Sequence, residues 1–127
     1  MRRALILIVL LSLVGFGAGY ALDRYQQATA REYLVELDEV RQLLLGGQEE
    51  EARREQAYLY ARWQGDEKWL NFLLSHQYTR AVTTAFMEMT TAMEQGWDDE
   101  TLRSLNDVYN ALREIEHSDF ATLENVF

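Results

Sequence analysis

The chain has 127 residues, no proline, no cysteine and a formal charge of −9. That length supports one small domain besides a short N-terminal segment, and so acidic a domain repels nucleic acid and, as a whole, an anionic lipid surface. The missing cysteines exclude disulfides, a thiol nucleophile, cysteine zinc sites and lipid attachment at cysteine.

The first predicted element is an apolar helix in the stretch 1–24. From Ala4 through Leu11 to Leu22 there is no charged residue. About 19 helical residues span roughly 28 Å, close to the ~30 Å hydrocarbon core of a bilayer. Arg2 and Arg3 precede the run, so the positive-inside rule leaves the N-terminus cytoplasmic and exports the rest. Two readings share that direction. A signal peptide is suggested by Gly19-Tyr20-Ala21, which offers small residues at a cleavage-compatible spacing. A retained signal anchor is favoured by the length of the run and by its passage into the next helical pattern without a polar cleavage region. Cleavage would leave a secreted helical protein instead. Gly15 and Gly19 form a small-xxx-small pair, the spacing through which two membrane helices pack, so a homodimer through this face is a further expectation.

The exported part, 25–127, reads as helices throughout, because proline-free stretches rich in Ala, Leu, Glu, Arg and Gln favour them. No run alternates apolar and polar residues long enough for a strand. From about Gln26, the residues Ala30, Tyr33, Leu37, Val40 and Leu44 recur at helical spacing. Gly46 and Gly47 can take the positive φ of a helix stop, and Glu49, Glu50 and Glu51 complement the dipole of the next helix. That helix carries Ala52, Leu59 and Trp63 and fades at "QGDEKW", where Asp66 is the expected N-cap of a third segment. The third segment extends from about Glu67 to Gln95, with a polar gap at "SHQYTR" where it bends or continues. Gly96 closes it, Asp98, Asp99 and Glu100 open the last helix, and Leu102, Leu105, Tyr109 or Val108, Leu112 and Ile115 line that helix. The pattern "helix, glycine, acidic turn, helix" occurs twice, about fifty residues apart, aligning Gly46 with Gly96 and Ala52 with Leu102. The expected fold is all-α: one N-terminal transmembrane helix followed by two αα-hairpins, about 26–65 and 66–117, packed as a small four-helix bundle with a tail at 118–127.

The catalytic inventory is thin. Glu114 and His117 form a single Glu-x-x-His pair, whereas a di-iron bundle needs two such pairs and two more glutamates. Leu73 stands where the partner of His76 would be. The serines lie in no nucleophile-elbow pattern, there is no glycine-rich phosphate loop, and the acidic triplets lack the ligand alternation of a calcium loop. No catalytic residue, metal or cofactor is expected. The aromatic residues Trp63, Trp69, Phe72, Tyr78 and Phe86 crowd mid-chain. They read as core, or alternatively as a ligand pocket around Trp63, Trp69 and His76 in a sensory bundle. The terminal "TLENVF", with Leu123 and Phe127, reads as a seal on the bundle end or as a docking segment for a protein partner.

Trp63, the "KWL" of Lys68-Trp69-Leu70, His76, Glu116-His117 and the terminal Thr122–Phe127 together resemble domain-of-unknown-function family 4363, short bacterial membrane-anchored helical proteins. The chain departs from that pattern after His76, where it has "QYTR" in place of acids, and at Ser118, where proline is common. The resemblance implies an anchored, all-helical, extracytoplasmic protein with no established activity. The expected function is therefore non-enzymatic: an accessory module at the outer face of the cytoplasmic membrane, contacting lipid through its first helix and a protein partner through its bundle.

Overall fold

The computed structural model describes residues 2–74 and 76–117. Four helices account for nearly all of them: α1 (Arg2–Leu45), α2 (Glu49–Leu73), α3 (His76–Gln95) and α4 (Asp98–His117). Each helix packs on the next in the chain and α4 returns to α1, which closes a ring of four antiparallel neighbours. Among the described residues there is no strand. The chain is an all-α four-helix bundle.

Two turns have the same chemistry. Gly47 and Gly96 take φ of 77° and 72°, a region open to glycine because it has no Cβ. After α1, the Gln48 N–H donates to the Leu43 carbonyl at 2.9 Å and the Gly47 N–H to that of Leu44 at 3.2 Å. After α3, Trp97 donates to Ala92 at 3.0 Å and Gly96 to Met93 at 3.2 Å. This paired closure satisfies carbonyls that a helix end leaves open. The internal match therefore runs from Gly47 to Gly96, one position off the alignment through Gly46 expected from sequence, and it equates Ala52 with Thr101 instead of Leu102.

The core obeys the corrected register. Ala30, Tyr33, Leu37 and Val40 of α1 correspond to Thr79, Val82, Phe86 and Met89 of α3, and all eight are buried. Ala52, Gln56, Leu59 and Trp63 of α2 correspond in the same way to Thr101, Leu105, Val108 and Leu112 of α4. Helical spacing sets each stripe, and the ring makes the four stripes face one another.

The boundary between the second and third helices differs from expectation. α2 continues through Gly65 and Asp66, where sequence placed a junction at 65–66, and it ends at Leu73. Leu74 is extended, with φ −121° and ψ 161°. Asp66 is therefore not an N-cap. Trp63 and Leu70 keep the buried stripe going across "QGDEKW", which overrides the polar composition there. The polar gap at "SHQYTR" is where the helix breaks, and α3 begins at His76.

α1 is one uninterrupted helix of 44 residues. Its first half is exposed and apolar, including Leu5 to Leu11, Leu13, Val14 and Phe16, while its second half forms one wall of the bundle. Ala4, Leu11 and Gly15 lie in the exposed part, Leu22 is half-buried and Gly19 is buried.

Candidate functional site

Polar contacts concentrate where α1 meets α2. The Tyr33 hydroxyl donates to Asp66 Oδ2 at 2.6 Å. Arg62 Nη2 donates to Glu32 Oε2 at 2.6 Å, and Nη1 donates to Glu36 Oε2 at 2.9 Å. The Arg62 guanidinium also lies 4.9 Å from the Tyr33 ring centroid, a cation–π contact. These partners are one or two helical turns apart on facing helices, so they lock the register of α1 against α2.

The electrostatics follow from that crowding. Burial first, then the hydrogen bond to Asp66 and its charge, raises the pKa of the Tyr33 phenol far above the ordinary range. Burial raises the Glu36 carboxyl; Arg62 pulls it back, but Glu55, Glu39 and Glu32 push it further up. Burial lowers the Arg62 guanidinium, and Glu36, Tyr33, Glu32 and Asp66 together more than restore it. The charge here serves to hold two helices together.

Inward of this lock lies an aromatic layer. Trp63 meets Tyr33 edge to face, with centroids 5.6 Å apart at 84°. It also packs on Phe86 at 6.4 Å. Its Nε1–H donates to Thr83 Oγ1 at 2.8 Å, which satisfies the one polar atom of the ring. Tyr60 stacks on Phe86 at 5.6 Å. One layer away, Gln56 Nε2 donates to Thr90 Oγ1 at 2.7 Å.

The residues expected to form a pocket are divided between core and surface. Trp63 is 0% exposed and belongs to the core, so it offers no surface to a ligand or partner. Trp69 is 68% exposed, on the outside of α2. His76 starts α3 and lines a depression with Gln77, Arg80 and Ala81 that opens to solvent and includes neither tryptophan. Leu123 and Phe127 lie outside the described residues. Among the described residues no three His, Asp or Glu side chains gather as a metal-ligand group.

Sequence reasoning missed Arg62 and the true role of Asp66, whose partners lie about thirty positions away and carry no local signal. It also missed Gln26, which is fully buried with neither Oε1 nor Nε2 hydrogen-bonded. A glutamine in line with Ala30, Tyr33 and Leu37 was the available sign of an amide on the core face.

The fold and these contacts define a class: an all-helical bundle whose first helix extends beyond the bundle as an apolar, exposed rod. The chain belongs to the family "Domain of unknown function (DUF4363)", whose model matches residues 20–126. No curated protein and no solved structure matches it.

Proposed function

We propose that this protein is a single-pass, membrane-tethered helical module, with its N-terminus cytoplasmic and its bundle at the outer face of the cytoplasmic membrane. It works without catalysis, by presenting that bundle to a protein partner. The observation that carries the reading is the continuity of α1, which joins an exposed apolar half of membrane-spanning length to a half that builds the core. In water that apolar half would remain an unburied patch far larger than a soluble monomer exposes. Arg2 and Arg3 set the direction.

Continuity also bears on cleavage. Residues 19–21 are helical here and lead directly into the stretch that holds Gln26, Thr29 and Ala30 in the core, so the anchor and the bundle share one rigid element. For the partner, the bundle offers Met87 and Trp97, both more than half exposed, beside one open groove between α3 and α4. An exposed tryptophan next to a groove is the kind of anchor on which binding energy concentrates.

The test is the state of the protein in its own membrane. Mass spectrometry of the mature protein is expected to find residues 2–22 retained, and alkaline carbonate is expected to leave the chain in the membrane pellet. Protease added outside spheroplasts should digest the bundle. A mature N-terminus at or after Leu22, or release by carbonate, would overturn the reading.

A further inference from the structure

Two of the exposed aromatic side chains of α2 sit at one end of the molecule, while Tyr58 lies in its first half. Trp69 is 68% exposed and Phe72 84% exposed, and their rings touch each other at 6.4 Å between centroids. They occupy the last turn and a half of α2, just before the extended residue Leu74. Core packing does not hold them there, since Trp63 and Leu70 supply the buried stripe of the same helix.

The contacts between α1 and α2 fix the height of this corner. Tyr33 meets Asp66, and Arg62 meets Glu32 and Glu36, in antiparallel helices. Advancing along α2 therefore means retreating along α1, which brings Phe72 about level with Tyr25 and Trp69 about level with Ala28. At 1.5 Å per residue those levels are roughly 5 and 9 Å beyond Leu22, the last residue of the apolar run. The interfacial layer of a bilayer is about 5–8 Å thick on each side. A span tilted by the usual ~20° toward α2 lowers the corner further. Tyr25, exposed on α1, marks the depth of Phe72, and the exposed Tyr20 lies about 3 Å inside Leu22.

Charge is distributed in the same sense. Glu49, Glu50 and Glu51 open α2 and Asp98, Asp99 and Glu100 open α4, so both acidic triplets lie at the far end. The near corner exposes Lys68, His76 and Arg80; of the acids there, Asp66 is engaged by Tyr33 and Glu67 is half-buried, with Glu114 and Glu116 on the neighbouring end of α4. The two densest acidic clusters thereby sit at the end away from lipid, and aromatic rings beside Lys68 and Arg80 suit a phospholipid headgroup layer.

We infer that the α2–α3 corner, through Trp69 and Phe72, rests in the lipid headgroup layer beside the point where α1 emerges, giving the bundle a second hold on the membrane. This rests on the anchored reading above. The competing occupant is a second copy, because Ala61 and Gly65 extend the same exposed face of α2; the net charge of −9 opposes that pairing.

The three tryptophans supply the test. Trp63 is buried, Trp69 is at the near corner, and Trp97 is at the far end, about 30 Å away along the bundle. The full chain is placed in phosphatidylcholine–phosphatidylglycerol vesicles in which some lipids carry a quencher on the headgroup. Indole emission is expected to fall. Trp69→Phe should abolish most of that loss, while Trp97→Phe leaves it unchanged. Quenching that is equal in Trp69→Phe and the parent overturns the inference. So does an absence of quenching together with a chain–chain crosslink that is lost in Phe72→Ser, which assigns the face to a second copy. Vesicle flotation separates the two levels: a chain that floats without Trp69-dependent quenching loses only the lipid contact, whereas one that fails to float loses the anchor and the contact together.

Discussion

At the scale of the residue, two side chains are held at a cost. Gln26 is fully buried with neither polar atom bonded, and an unpaired buried amide costs about 1–3 kcal/mol. Gln26→Leu keeps the volume and removes that cost. It is expected to raise stability by about 1–2 kcal/mol, seen as a melting point several degrees higher in detergent solution; an unchanged or lower value would mean that the amide has a partner in solution. Glu36 pairs with Arg62 at 2.9 Å, yet burial and three neighbouring carboxylates leave its pKa raised. A carboxyl with a raised folded pKa contributes stability at low pH and loses it as pH rises through that pKa. Glu36→Gln stays protonated in effect at every pH. The variant is expected to match the parent near pH 4 and to gain on it by pH 7, by no more than about 0.5 kcal/mol for so accessible a pair. Denaturant melts at the two pH values measure the difference, and a variant that loses ground toward pH 7 would show that the Arg62 bridge dominates.

At the scale of the element, glycine acts in two opposite ways. Gly47 has φ of 77° at the end of α1, and its paired hydrogen bonds depend on that conformation. Gly65 lies inside α2 with open space where a Cβ would project. Gly47→Ala is expected to cost about 1 kcal/mol, and Gly65→Ala to gain about 0.5–1 kcal/mol, in the same unfolding assay. Equal effects of one sign would contradict these assignments. The helix-stop chemistry was legible in "LLLGGQEEE", since Gly-Gly followed by acids is a local signal. Which glycine takes the positive φ was not, because that depends on where the final hydrogen bonds close. The end of α2 was illegible for a different reason. "QGDEKW" has the composition of a terminus, but Asp66 finds the Tyr33 hydroxyl on another helix and the chain continues helical.

At the scale of the whole molecule, α1 divides into two tasks. Apart from Gly19, its buried residues begin at Gln26, and Arg31 and Glu32 pair with Glu116 of α4 and Arg62 of α2. A chain starting at Asp23 is therefore expected to keep a single cooperative melt and its helical signal by circular dichroism, while losing vesicle flotation. Loss of cooperative folding would show that the apolar half is part of the bundle's own stability. The opposite ends of the bundle also differ in kind: both acidic triplets lie at one end, and the exposed Trp69 and Phe72 lie at the other.

What the sequence determined by itself was everything carried by neighbours along the chain. An all-helical fold follows from the absence of proline and from apolar residues at helical spacing, and the apolar first run, the glycine stops and the acidic helix starts are read directly from the letters. What only the tertiary structure decided was which side chains are shared between helices. Trp63 and Trp69 are six residues apart on one helix and thus turned about 120° from each other. One is sealed among Tyr33, Phe86 and Thr83, and the other points outward. Their letters are identical; the ring of four helices has a single inside, and the register set by Tyr33, Arg62 and Asp66 chooses which tryptophan faces it.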